Sequence, residues 1–311
     1  MKKILFVLSH SVWPLLGNEI DLIKQKLDQN NVVKVLYCNG EPNYCSANTY
    51  KFKNFNKVKM VCTYCKSRFL DGLDWLDKKN VIDKKHHYLK AKDKKKINSI
   101  LNHISVKIEN EQQLVKYLLK VNKFLFLAIK STLSSQFQNH QVEIFKNKDL
   151  LIRVCEDALI SYFSSINHYK KFLPDEVYIF NGRTTRFQPF LRNFQKYKNK
   201  KVNVYEHPRI SHVGLENTLG NLPHDLRNLS NQIMTISKKN KINEKKLLSF
   251  GKNFVKNNFH QKNKKNYQLV PWVNRKKLNK LPEDFNDKEY NLGIFLSTEY
   301  ETFHTYENLK L

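Results

Sequence analysis

Glycine and proline are scarce, with 8 of each spread along 311 residues, which excludes collagen-like, propeller and low-complexity architectures. No phosphate-binding glycine fingerprint is present, neither a Walker loop nor G-x-G-x-x-G, so P-loop and dinucleotide-enzyme readings fall. Ser9-His10-Ser11 lacks the G-x-S-x-G elbow that would make a nucleophile of its serines. Long apolar runs are missing too. Phe124 to Ile129 is closed off by Lys123 and Lys130, far short of the roughly 20 residues a membrane helix needs. The opening Met1-Lys2-Lys3-Ile4-Leu5-Phe6-Val7-Leu8 imitates an export signal, but it stops at Ser9-His10 with no small-residue cleavage site after it. Arginine is short as well: it supplies 8 of the 55 basic residues.

What is abundant is lysine, and the formal charge is +27. A nucleic-acid binder would favour arginine for bidentate phosphate and base contacts, so a lysine excess scattered beside asparagine weighs against one. A solvated lysine-rich surface is the plainer reading. Peripheral contact with an anionic membrane face is the alternative, each lysine near such a surface contributing on the order of 1 kcal/mol. Apolar residues make up 41% of the chain and aromatics 12%, enough to fill a core. Five cysteines without an export signal point to thiols in a reducing compartment, and so to a cytoplasmic chain, peripheral at the inner membrane face if the lysines engage lipid.

The order of elements is that of an α/β protein with a Rossmann-like open parallel sheet. Ile4 to Leu8 is an apolar run of strand length, Asn18 to Asn30 carries Ile20, Ile23 and Leu27 at helical spacing, and Val32 to Tyr37 is a second strand. The crossover makes these strands parallel. Residues 38–84 form a cysteine-bearing excursion, and residues 85–172 a large helical insertion, in which Leu114, Tyr117, Leu118, Val121, Leu125, Ile129 and Leu133 share one face. A second βαβ unit follows: Asp175 to Phe180, a helix from Phe187 to Lys198, and Val202 to Tyr205. Pro223 starts a further helix, Lys238 to Lys265 is basic and partly helical, and Leu292 to Leu296 reads as a strand. These divide the chain into a Rossmann-like domain over 1–270 and, over 271–311, a linker with the first strand of an incomplete second domain.

In open parallel sheets the ligand crevice lies beyond the carboxyl ends of the strands. The residues there are Ser9 and His10, Asn39 and Gly40, Asn181-Gly182-Arg183, and Glu206-His207. Each alone reads as a turn or cap residue, but four strand ends converge on one edge. Glu206, His207 or His10 is placed to act as a general base, Arg183 suits an anionic group, and Ser9, Asn39, Asn181 and Gly182 would hold substrate. Cys62-Thr63-Tyr64-Cys65 could give two thiolates to a structural zinc that Cys38 and Cys45 complete. Buried thiols and redox chemistry stay open beside that reading.

Several of these stretches are similar to a known family. Leu36-Tyr37-Cys38-Asn39-Gly40 with the spaced cysteines, Val177 to Arg183, Tyr205-Glu206-His207, Asn221 to Leu226 and Leu292 to Phe303 resemble bacterial capsule and surface-polysaccharide biosynthesis glycosyltransferases of the GT-B type. The resemblance implies transfer of sugar from a nucleotide-sugar to a glycan or a lipid-linked acceptor. In that family a second domain binds the donor, and this chain would carry only its beginning, departing from the pattern at Tyr300 and Thr302. A truncated enzyme of this kind would be inactive alone, and a non-catalytic remnant binding a glycan or another subunit is the alternative.

Overall fold

A computed structural model describes residues 1–8, 11, 15–38, 40, 44–45, 55–76, 81–137, 142–197, 199–206, 216–217 and 222, with scattered positions between 231 and 252. The chain divides into two units, Met1–Asp225 with Thr298–Leu311, and Leu226–Ser297. In the second unit the described positions, among them Met234, Lys245 and Leu248, are helical. The helix expected from Pro223 onward is described only at isolated positions, and the strand expected at Leu292 to Leu296 lies outside the described residues.

The first unit is a mixed α/β fold built on one sheet. Strand β1 (Lys3–Val7) leads into helix α1 (Leu15–Asp28) and strand β2 (Val32–Tyr37), and β1 and β2 pair in parallel with Ile4 beside Val33 and Phe6 beside Val35. Strands β4 (Glu176–Phe180) and β5 (Lys201–Glu206) continue the sheet in parallel on the other side of β1. Alternation along each strand decides which layer a residue enters. Ile4, Phe6 and Leu8 face α1 and helix α2 (Phe55–Asp74), packing with Ile23, Phe69 and Leu73. Leu5 and Val7 face the opposite side, where helix α7 (Gln188–Phe194) supplies Phe190, Leu191 and Phe194. Both faces of the sheet are therefore dry, which is why the strands read as continuous apolar runs.

Two elements depart from the sequence reading. The excursion after Cys38 holds both α2 and a further strand, β3 (Val81–Lys85), which pairs in parallel with β2. With two apolar residues in five, Val81-Ile82-Asp83-Lys84-Lys85 gives no strand signal, and charge of this kind suits a strand with a neighbour on one side only. The apolar face running from Leu114 to Leu133 is two helices, α4 (Glu111–Val121) and α5 (Leu125–Phe137). The break is local chemistry: Asn122 is extended, and its side-chain oxygen accepts from the Phe124 amide at 2.9 Å, capping the next helix.

The sheet order is β3-β2-β1-β4-β5-β6, where β6 (Glu216–Asn217) is a short antiparallel addition. The helical layer between β3 and β4 comprises α3 (Ala91–Lys107), α4, α5 and α6 (Lys148–Phe172), with its own apolar core around Ile104, Leu118, Ile129, Leu151 and Leu159.

Candidate functional site

The strand order reverses between β1 and β4: the chain proceeds outward from β1 through β2 to β3, then returns to lay β4 on β1's other side. At such a switch point the loops leaving the two strands diverge, and a crevice opens beyond their carboxyl ends. On the β4 side, Asn181 and Gly182 both have positive φ, 55° and 74°, which turns the chain sharply off the strand. A Cβ on Gly182 would crowd Leu191 Cδ2 at 2.8 Å and Leu222 Cδ2 at 3.1 Å, and its φ of 74° strains any other residue.

That turn sets the polar groups. The Asn181 amide group donates to Glu206 Oε2 at 2.5 Å, bridging the ends of β4 and β5. The Asn181 side-chain oxygen accepts from both the backbone N–H and Nε of Arg183, at 3.2 Å each, which fixes the direction of the guanidinium. Glu206 and Arg183 are half-buried. Behind them, Tyr205 donates to Glu19 Oε1 at 2.5 Å inside the core, and burial together with that carboxylate pushes the phenol well above its usual range. On the β1 side, Ser11 is buried, its hydroxyl donating to Cys65 Sγ at 2.8 Å while its carbonyl accepts from Arg68 at 3.3 Å.

Arg186 marks a buried charged centre that the sequence reading missed. Arg186 is buried; desolvation opposes its charge, but Cys38, Cys45, Asp157 and Cys65 around it outweigh that and hold it protonated. Burial keeps the Cys38 thiol above its usual pKa, and Asp157 is the carboxylate beside Arg186. Asp157 also accepts from the Thr185 hydroxyl at 2.6 Å, and the Thr185 amide donates to Thr132 Oγ1 at 2.9 Å. Nearby, His86 is fully buried and held neutral, its pKa lowered first by burial and then by His87, Arg186 and His168. The signals were present: two of the eight arginines, Arg183 and Arg186, sit in one turn, and Asp157 interrupts the apolar face of α6. Neither tells which partner it meets.

Of the residues singled out in the sequence, Asn181, Gly182, Arg183 and Glu206 come together. Ser9, His10, Asn39 and His207 lie outside the described residues. Cys38, Cys45 and Cys65 gather around Arg186, with Cys62 beside Gly40. Among the described residues no group of three His, Cys, Asp or Glu is gathered to hold a metal, so no zinc step is drawn from them. Among the same residues no helix is long and apolar enough to cross a membrane.

No family model and no curated protein matches the chain. Among solved structures, a CDPS (cyclodipeptide synthase) from Fluoribacter dumoffii is similar at a TM-score of 0.41 and 8% identity, covering 64% of this chain and 87% of that one. The resemblance to capsule glycosyltransferases is corrected by this finding, because the neighbour is a CDPS. Sugar transfer, the glycan-binding remnant, and the partners set out with them, a glycan or lipid-linked acceptor, a membrane face and little place for nucleic acid, are withdrawn with it. The nucleotide-sugar remains an expectation of that resemblance alone. At this level of similarity the CDPS gives no activity to the present chain.

Proposed function

We propose that this chain is a Rossmann-like binding protein that takes a small anionic molecule, bearing a phosphate or carboxylate, in the crevice between β1 and β4. The observation that carries the reading is the Asn181-Gly182-Arg183 turn, in which the half-buried Arg183 side chain is held by Asn181 at the end of β4, the strand next to the order reversal. A guanidinium fixed in direction before binding loses little entropy when it forms a two-pronged contact with an oxyanion. Glu206, held by Asn181, offers an acceptor for a hydroxyl on the same ligand, and this pairing of a cation with a carboxylate selects molecules that carry both groups. The reading includes a cytoplasmic location, supported by five cysteines that all stand as thiols.

Thermal unfolding of the full chain against inorganic phosphate, nucleoside mono- and diphosphates, and small hydroxycarboxylates tests the proposal. A ligand at a hundred times its Kd adds about 2.7 kcal/mol to stability, several degrees in Tm. Arg183→Gln is expected to keep the unliganded Tm and to weaken the response at least tenfold. Absence of any saturable shift, or an equal shift in Arg183→Gln, overturns the reading.

A further inference from the structure

No chemistry has yet been given to the cysteines of the excursion, and the packing of α2 on β2 brings two of them into register. Tyr37, the last residue of β2, lies against Phe69 of α2 with ring centroids 6.1 Å apart. Further along the loop, a Cβ on Gly40 would stand 3.1 Å from Cys62 Cβ and 3.8 Å from its sulfur. Residue 37 therefore lies beside 69 and residue 40 beside 62, so the two stretches run in opposite directions. Cys38 falls between these two contacts on the loop, as Cys65 does on the helix. Both pack against the same apolar cluster, and both are half-buried. Around them, the Gly40 amide donates to Cys38 Sγ at 3.4 Å, and the Ser11 hydroxyl donates to Cys65 Sγ at 2.8 Å. Ser11 is itself held by Arg68, one turn along α2 from Cys65. A partly accessible cysteine beside a second one is the arrangement in which a sulfenic acid is closed to a disulfide.

We propose that Cys65 and Cys38 are an oxidisable dithiol, Cys65 attacking a peroxide and Cys38 closing the disulfide. The Cys65 thiolate attacks one oxygen of hydrogen peroxide, the O–O bond breaks, and hydroxide leaves to take up a proton as water. The resulting sulfenic acid is attacked by the Cys38 sulfur; the S–O bond breaks, a second water departs with the Cys38 proton, and the S–S bond forms. Two thiols and one peroxide give one disulfide and two waters, with the two sulfurs supplying both electrons. Cys155 is the internal control, fully buried on α6 with burial pushing its thiol up to about 12.

The test treats the purified full chain with hydrogen peroxide, blocks remaining thiols, and maps disulfides without reduction. Cleavage after Glu41 separates Cys38 from Cys45, and cleavage after Tyr64 separates Cys62 from Cys65, so every pairing is distinguishable. The expected result is the loss of two of the five thiols and a Cys38–Cys65 linked peptide. Cys38→Ser should leave a sulfenic acid at Cys65 that a dione probe traps, and Cys155→Ser should change nothing. Retention of all five thiols, linkage of any other pair, or a bond between two chains overturns the proposal. The wild-type map decides it even if a variant fails to fold, and it is independent of any ligand in the crevice.

Discussion

A guanidinium taken out of water is stable only where its charge is matched, and Arg186 is matched by residues from three separate stretches of chain. Asp157 comes from α6, Cys38 and Cys45 from the loop after β2, and Cys65 from α2. Burial raises the Cys38 thiol's pKa, and Asp157 is the one carboxylate in the set. Asp157→Asn keeps the shape and a hydrogen-bonding oxygen for Thr185, yet removes the charge. It is expected to destabilise the fold by about 3–5 kcal/mol, the cost of leaving a buried charge uncompensated. A shift of the urea midpoint without a change in slope measures this. A loss under 1 kcal/mol would place the compensation on the sulfurs instead.

Among the elements, β4 does more than fill the sheet. Its first residue, Glu176, is buried and accepts from the Tyr178 hydroxyl at 2.9 Å, from the Asn203 amide group of β5 at 2.9 Å and from Lys201 at 3.2 Å. Burial acts to raise its pKa, but these three donors outweigh burial and hold it below the ordinary glutamate value. A carboxyl with a depressed folded pKa contributes stability that is complete above its unfolded pKa and is lost as pH falls through the folded one. The difference in stability between wild type and Glu176→Gln is therefore expected to be largest at neutral pH and to shrink below about pH 4. Urea titrations across that range check it, and a difference independent of pH would show that the donors read shape rather than charge.

For the first unit as a whole, the sheet and the helical layer are joined by polar stitching as well as by apolar contact. Thr132 reaches Thr185, Asn167 donates to the Tyr88 carbonyl at 2.9 Å, and His168 meets the His86 carbonyl at 3.0 Å, while inside the helical layer Asn167 also donates to Asp93 at 2.8 Å. Buried polar groups of this kind lose their partners if one layer opens alone, so opening is costly. Leu159→Ala, deep in the helical core, is expected to cost about 2–5 kcal/mol and to lower the sheet's stability equally. Near-ultraviolet circular dichroism and amide exchange in β1 should report one shared transition. Separate transitions would mean that the layers fold independently.

Local pattern made much of this legible. The strands Lys3–Val7, Val32–Tyr37, Glu176–Phe180 and Lys201–Glu206 announce themselves because both faces of a covered parallel sheet must be apolar. Their ends, and so Asn181, Arg183 and Glu206, follow from where the apolar runs stop. The edge strand Val81–Lys85 escaped because it is recognised by its partner β2 and not by its own composition. The gathering of Asp157, Cys38 and Cys65 around Arg186 was likewise decided only in three dimensions. Periodicity reports which side of its own element a residue occupies, whereas partnership across the chain depends on the order in which the strands assemble, and no short window of sequence contains that order.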